Sequence, residues 1–108
     1  VNIEELKKQK EKEKEAQLKN DKLEANIKSL SLEIVYYFNN PGFDLNKYKD
    51  FIDKLSDYDK ELFELKDNMK EEQYNRVLEE FYRAQGNLEA LKSEMLKQST
   101  EEKAGISL

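Results

Sequence analysis

Pairs of adjacent carboxylates, such as Glu71–Glu72, Glu79–Glu80 and Glu101–Glu102, are the residues of this 108-residue chain that come closest to an acid–base or metal-binding pattern. Neighbouring residues on a helix point about 100° apart, so the members of a pair do not converge on one ligand. The chain contains no His and no Cys, which removes a catalytic triad, an ordinary zinc site and the Glu-x-x-His repeat of di-iron bundles. Its three Gly are scattered and form no phosphate loop. We expect no enzyme, no cofactor and no metal.

The middle of the chain carries an aromatic cluster, with Tyr36, Tyr37, Phe38, Phe43, Tyr48 and Phe51 inside sixteen residues. Aromatic side chains bury large rigid areas and are enriched in interface hot spots. The end of a helical hairpin must also be filled, and that is the preferred interpretation of the cluster as a whole. Three consecutive aromatics exceed what one helix face can bury. A partner-binding site is therefore a second hypothesis, with the following candidates: Tyr36, Phe38, Phe43 and Phe51.

The elements that position these residues follow from apolar rows that recur at alternating spacings of three and four, which returns each side chain to one side of a helix. The predicted helix-packing rows comprise three sets: Leu23, Ile27, Leu30, Ile34 and Tyr37; Tyr48, Phe51, Leu55, Tyr58, Leu62, Leu65 and Met69; and Tyr74, Val77, Phe81, Ala84, Leu88, Leu91 and Met95. We predict an all-α fold, either an antiparallel helical hairpin or a three-helix bundle, with coiled-coil character and a long N-terminal helix.

Turn signals divide the rows. Asn39, Asn40, Pro41 and Gly42 end the first helix near Phe38, and Asp44 has the side chain of an N-cap for a second helix over about 45–66. Five residues separate Met69 from Tyr74, which would turn the apolar row by roughly 140° on one straight helix. We therefore predict a turn at 67–70, with Asn68 and Glu71 matching a capping box. The alternative is one long helix with two apolar faces.

The two ends of the chain lack an apolar row. Residues 1–20 are predicted to be a charged helical extension or a frayed segment, residues 21–98 the helical domain and residues 99–108 a disordered tail, with the third helix ending near Gln98. Asn20 falls on a core row, where a buried Asn can fix the register of paired helices. Because it is close to the polar end, the preferred interpretation is that Asn20 marks where the row meets solvent.

Composition narrows the class of protein. Charged residues make up 40% of the chain and hydrophobic residues 37%, with a net charge of −5. Net acidity argues against nucleic acid as a partner, and no apolar run is long enough for a membrane span. We expect a soluble, cytoplasmic, non-enzymatic protein–protein interaction module that associates with itself or a larger assembly, as a scaffold-type structural or assembly subunit. The alternative is a monomeric adaptor or inhibitor that captures one protein through the aromatic end near residues 36–51.

Overall fold

The protein is an elongated three-helix bundle in a computed structural model that describes residues 2–39 and 44–106, with side chains described as far as residue 98. Its helices are α1 (Ile3–Phe38), α2 (Leu45–Leu65) and α3 (Glu71–Ile106), and a single 3₁₀ turn, Lys66–Asn68, joins the last two. No strand occurs among the described residues. The molecule measures 81 × 22 × 19 Å. The predicted all-α fold with a long N-terminal helix is confirmed, and of its two predicted forms the structure adopts the three-helix bundle.

Local capping fixes the ends of the first helix. The side chain of Asn2 accepts a hydrogen bond from the backbone N–H of Glu4 at 3.0 Å. Acidic side chains occupy the first turn, where their negative charge interacts favourably with the positive end of the helix dipole. At the other end Asn39 donates through its side chain to the carbonyl of Val35 at 3.0 Å. Asn39 keeps a right-handed backbone, with φ of −90°. The helix thus ends at Phe38 as predicted, although Asn39 does not adopt the left-handed cap conformation.

The second helix begins and ends close to the predicted residues. Asp44 accepts from the backbone N–H of Lys47 at 2.9 Å, as an N-cap does. The predicted turn at 67–70 is present: the chain leaves the 3₁₀ turn at Met69, which is extended, and α3 starts at Glu71. The predicted capping box is wrong, because the helix starts too late for Asn68 to be its N-cap.

The direction of each helix follows from its pairings. Tyr37 packs against Phe51 with ring centroids 5.5 Å apart, and Lys54 lies 3.8 Å from Glu33, so α1 and α2 are antiparallel. Gln17 pairs with Gln73, whereas Ser31 lies opposite Asn87 further along both helices. Helices α1 and α3 are therefore parallel neighbours. Helix α2 runs in the opposite direction and connects the end of α1 to the start of α3.

Two clusters of buried side chains form the core. One lies toward the α1–α2 connection and contains Leu30, Ile34, Phe51, Leu55, Ala84, Leu88 and Leu91. The other lies toward the α2–α3 turn and contains Leu23, Ile27, Leu62 and Val77. Burial of each large aliphatic or aromatic side chain stabilises the fold by roughly 1.5–3 kcal/mol, so these clusters hold the three helices together.

Both long helices extend past the core. Residues 3–15 of α1 are helical and exposed along their whole length. The backbone of α3 stays helical to Ile106, beyond the predicted end near Gln98, so residues 99–106 are helical where the sequence predicts a disordered tail. Good helix formers such as Glu101, Glu102 and Ala104 allow this without an apolar row to bury.

Candidate partner-binding surface

The predicted helix-packing residues all lie between the helices. Leu23, Ile27, Leu30, Ile34, Leu55, Leu62, Val77, Leu88 and Leu91 are buried. The larger or more peripheral members are half-buried and pack against the two core clusters: Tyr74, Phe81 and Met95. These positions therefore stabilise the bundle and are not accessible to a partner unless the helices separate.

The predicted partner-binding residues do not share one environment. Tyr36 is 63% exposed and Phe38 is 42% exposed, whereas Phe51 is 2% exposed and belongs to the core. Phe43 lies outside the described residues. Tyr37 takes the place in the core row that the spacing predicts and packs against Phe51. Among the described residues of the aromatic cluster, the exposed side chains are those of Tyr36 and Phe38.

Lys47 completes the aromatic end from the first turn of α2. Its ammonium nitrogen lies 5.3 Å from the centroid of the Tyr37 ring, within the range of a cation–π contact. The hydrogen bond with Tyr37, and then the electrostatic effect of that residue, raises the pKa of Lys47 above its ordinary value of 10.5. Lys47 thus stays charged at neutral pH and places a cation beside the half-buried ring of Tyr37.

A shallow apolar groove of 310 Å³ opens at the same end of the bundle, between α1 and α3. We call it the end groove, and its lining is formed by Val35, Phe38, Asn39, Asn87 and Ala90. Val35 is 41% exposed. A groove of this kind suits aliphatic side chains from another protein, because three of its five lining residues are apolar.

A polar network joins α1 to α3 at the opposite end, and sequence analysis did not identify it. Gln73 is only 3% exposed, and its amide donates to the carboxylates of Asp21 at 2.8 Å and Glu24 at 3.2 Å. Gln17 donates to both Asp21 and Gln73, at 2.8 Å and 3.1 Å. Arg76 closes the network with an ion pair to Glu24 at 3.4 Å. The sequence contains one indication of this network, because the spacing of Gln17, Asp21 and Glu24 places them on one side of α1.

The structure corrects the expectation that Asn20 lies where the apolar row meets solvent. Asn20 is 1% exposed rather than at the solvent boundary, because the α2–α3 turn folds over it. Its side-chain N–H donates to the carbonyl of Asn68 at 3.0 Å, whereas its own carbonyl oxygen is buried with no hydrogen-bond partner among the described residues. A buried polar group of this kind fixes position at a cost in stability.

The described part of the chain holds neither a metal-binding group of side chains nor a membrane span. It contains no group of three or more His, Cys, Asp or Glu side chains placed to hold a metal ion. None of its helices has the length and apolar character needed to cross a bilayer.

Burial, and then the charges of nearby acidic residues including Glu61, raises the pKa of Tyr58, so this hydroxyl stays neutral at physiological pH.

Comparison with known proteins returns no match to a protein-family model, to a curated protein or to a solved structure.

Proposed function

We propose that this chain is a non-enzymatic helical protein–protein interaction module that associates with itself as a structural or assembly subunit. The observation that carries the proposal is the amount of apolar surface outside the core. Among the described residues, twelve large hydrophobic side chains are exposed, against eleven hydrophobic residues that are buried. They occur on all three helices, and those that share one helix face can form a packing surface.

Some of these exposed side chains are ordered on one face of α1. Leu18, Ala25 and Leu32 are each seven residues apart, and all three are exposed. Leu18 precedes Ile27 by nine residues, a rotation of about 180°, so this row lies on the side of α1 opposite the core. A helix with apolar rows on two opposite sides can pack against its own bundle and against a second protein at once.

Sedimentation velocity of the purified chain at several concentrations tests this proposal. Self-association predicts a weight-average sedimentation coefficient that rises with concentration. A chain that sediments as a monomer throughout the accessible range would contradict the proposal.

A monomeric adaptor that captures one other protein through its aromatic end is the second candidate, and the exposure of Tyr36 and Phe38 favours it. Under this proposal Tyr36→Ala keeps the melting temperature of the parent chain and weakens partner binding by at least about 1–2 kcal/mol, as for a hot-spot residue. A partner recovered by pull-down from the native source, titrated against both proteins, supplies the measurement. Equal affinity of Tyr36→Ala and the parent chain would exclude this ring as the anchor.

A further inference from the structure

Helices α1 and α3 are parallel neighbours that start at different levels. Gln17 contacts Gln73 at 3.1 Å, and α3 begins only at Glu71. The offset of 56 residues between Gln17 and Gln73 places Glu71 level with Glu15. Residues 3–14 of α1, which we call the N-terminal arm, therefore extend beyond the start of α3. The side of the arm that continues the α3-facing side of α1 has no α3 residues against it.

The opposite end shows the converse offset. Ser31 accepts from Asn87 at 3.0 Å, a separation of 56 residues. The same separation places Phe38, the last residue of α1, level with Glu94, because 38 + 56 = 94. Helix α3 continues from there to Ile106. Here the α1-facing side of α3 extends beyond the end of α1, and the end groove lies at the point where α1 stops.

The N-terminal arm carries a defined chemistry on its α3-facing side. Steps of three and four residues back from Gln17 lead to Lys14, Lys10, Lys7 and Ile3. Leu6 lies on the adjoining row. Among residues 2–15 only Ile3 and Leu6 are hydrophobic, and they are 70% and 45% exposed. The arm thus presents an apolar first turn followed by a lysine stripe.

The end groove and its surroundings complement that arm. Val35 and Phe38 present apolar surface at 41% and 42% exposure, and Ala90 lines the groove from α3. The next turn of α3 carries Glu94, a half-buried carboxylate. The apolar side chains at the start of the arm match the apolar end groove, and the lysines that follow them match the carboxylate of Glu94.

We propose that a second copy of this chain docks head to tail, with its N-terminal arm beside α3 of the first copy, and with Ile3 and Leu6 against the end groove. The contact continues, between two molecules, the same parallel pairing of α1 and α3 that each molecule contains within itself. The contact is heterologous, so every assembly keeps one free arm at one end and one free groove at the other, and association produces an open chain of molecules. This inference rests on the proposed self-association and specifies its geometry.

Complementary variants of the full-length chain test the geometry by sedimentation velocity. The arm variant carries Ile3→Asp and Leu6→Asp, and the groove variant carries Val35→Asp and Ala90→Asp. Each places charge in the proposed contact, so each alone should need at least about tenfold higher concentration to associate. Mixed in equal amounts, the intact groove of one should accept the intact arm of the other, giving a 1:1 heterodimer that grows no further.

A matched control uses Phe63→Asp, which introduces the same charge at a residue that is 69% exposed on α2. It should associate like the parent chain. Circular dichroism establishes that each variant keeps its helices. If Val35→Asp lowers helicity, Ala90→Glu alone repeats the groove test, because Ala90 is exposed.

Three results would overturn the inference. A parent chain that stays monomeric removes both the head-to-tail contact and the proposed self-association. A parent chain that associates, with arm and groove variants associating equally well, removes only the head-to-tail contact and leaves self-association through another surface. Variants that each fail to associate, and that also fail to form a heterodimer when mixed, would show that the arm and the groove do not meet each other.

Discussion

Replacing Asn20 with leucine should stabilise the protein, because the buried side chain is only half satisfied. Its carbonyl oxygen has no partner among the described residues, and a buried unsatisfied acceptor costs about 1–3 kcal/mol. The bond that the substitution removes, to the carbonyl of Asn68, contributes about 0.5–1.5 kcal/mol. Asn68 is itself exposed, so its carbonyl can bond to water after the change.

The substitution Asn20→Leu would also extend the apolar row of Leu23 and Ile27, and the new side chain is only moderately larger than the one it replaces. Allowing for imperfect packing, we expect a net gain of about 1–2 kcal/mol in the free energy of unfolding. Urea denaturation followed by circular dichroism measures it. With a slope of about 1–3 kcal/mol per molar for a small domain, the midpoint should rise by roughly 0.3–2 M.

The charged control Asn20→Asp should lower the unfolding free energy by at least about 2 kcal/mol, because it buries a carboxylate without an identified cation partner. A midpoint for Asn20→Leu below that of the parent chain would refute the reasoning. It would mean that the carbonyl of Asn20 is satisfied in solution and that the bond to Asn68 is a net source of stability.

Three further predictions concern the core, the arm and alkaline pH. Leu88→Ala should lower the unfolding free energy by about 2–5 kcal/mol, whereas Leu32→Ala should change it by less than about 0.5 kcal/mol in urea melts, because Leu88 is 7% exposed and Leu32 is 68% exposed. Amide hydrogens of residues 3–15 should exchange much faster than those of residues 77–91, as measured by hydrogen exchange with mass spectrometry. Burial raises the pKa of Tyr58 in the folded state. Its contribution to stability is present below the ordinary pKa of 10.0 and is lost as pH rises through the folded pKa, so Tyr58→Phe should soften the fall in melting temperature between about pH 9 and 11.

Each of these predictions has an opposing outcome. Equal melts for Leu88→Ala and the parent chain would mean that the α3 row does not stabilise the isolated protein. Uniform protection from residue 3 onward would show that the arm is docked on another molecule, as head-to-tail association predicts at high concentration. For the alkaline melts, the matched control is Tyr82→Phe, which removes the hydroxyl of a 61% exposed ring; an equal effect of both changes would assign the pH dependence to tyrosines in general.

Spacing was sufficient to predict the helices, because period and phase are local properties of the sequence. The displacement between Met69 and Tyr74 predicted a turn that contains no Gly or Pro, and Asp44 predicted the start of α2 from its own side chain. Spacing does not state which helix lies against which face. The burial of Asn20 depends on where the α2–α3 turn folds, so it required the tertiary structure. Spacing placed Phe51 in a packing row and its aromatic ring made it a partner-binding candidate, and the tertiary structure was needed to decide between the two.

Spacing alone was also insufficient to locate the partner-binding surface. Three consecutive aromatics guarantee that one ring is surplus to the core, and the exposure of Tyr36 and Phe38 agrees with that reasoning. The end groove combines residues from α1 and α3 that are about fifty positions apart in the chain. Its existence follows from the offset between two parallel helices, which depends on the length of α2 and its turns and leaves no trace in either helix considered alone.

The elongated shape has a consequence for the apparent size of the protein in solution. The radius of gyration is 19.6 Å, whereas a compact domain of this length has about 13 Å. A compact protein would need about 300 residues to reach the same radius. A single molecule therefore elutes from a gel-filtration column ahead of a compact protein of equal mass, because an elongated particle has a larger Stokes radius. Elution volume alone would make the monomer look like an oligomer, and only a method that weighs the particle, such as light scattering or sedimentation equilibrium, distinguishes one long molecule from an assembly.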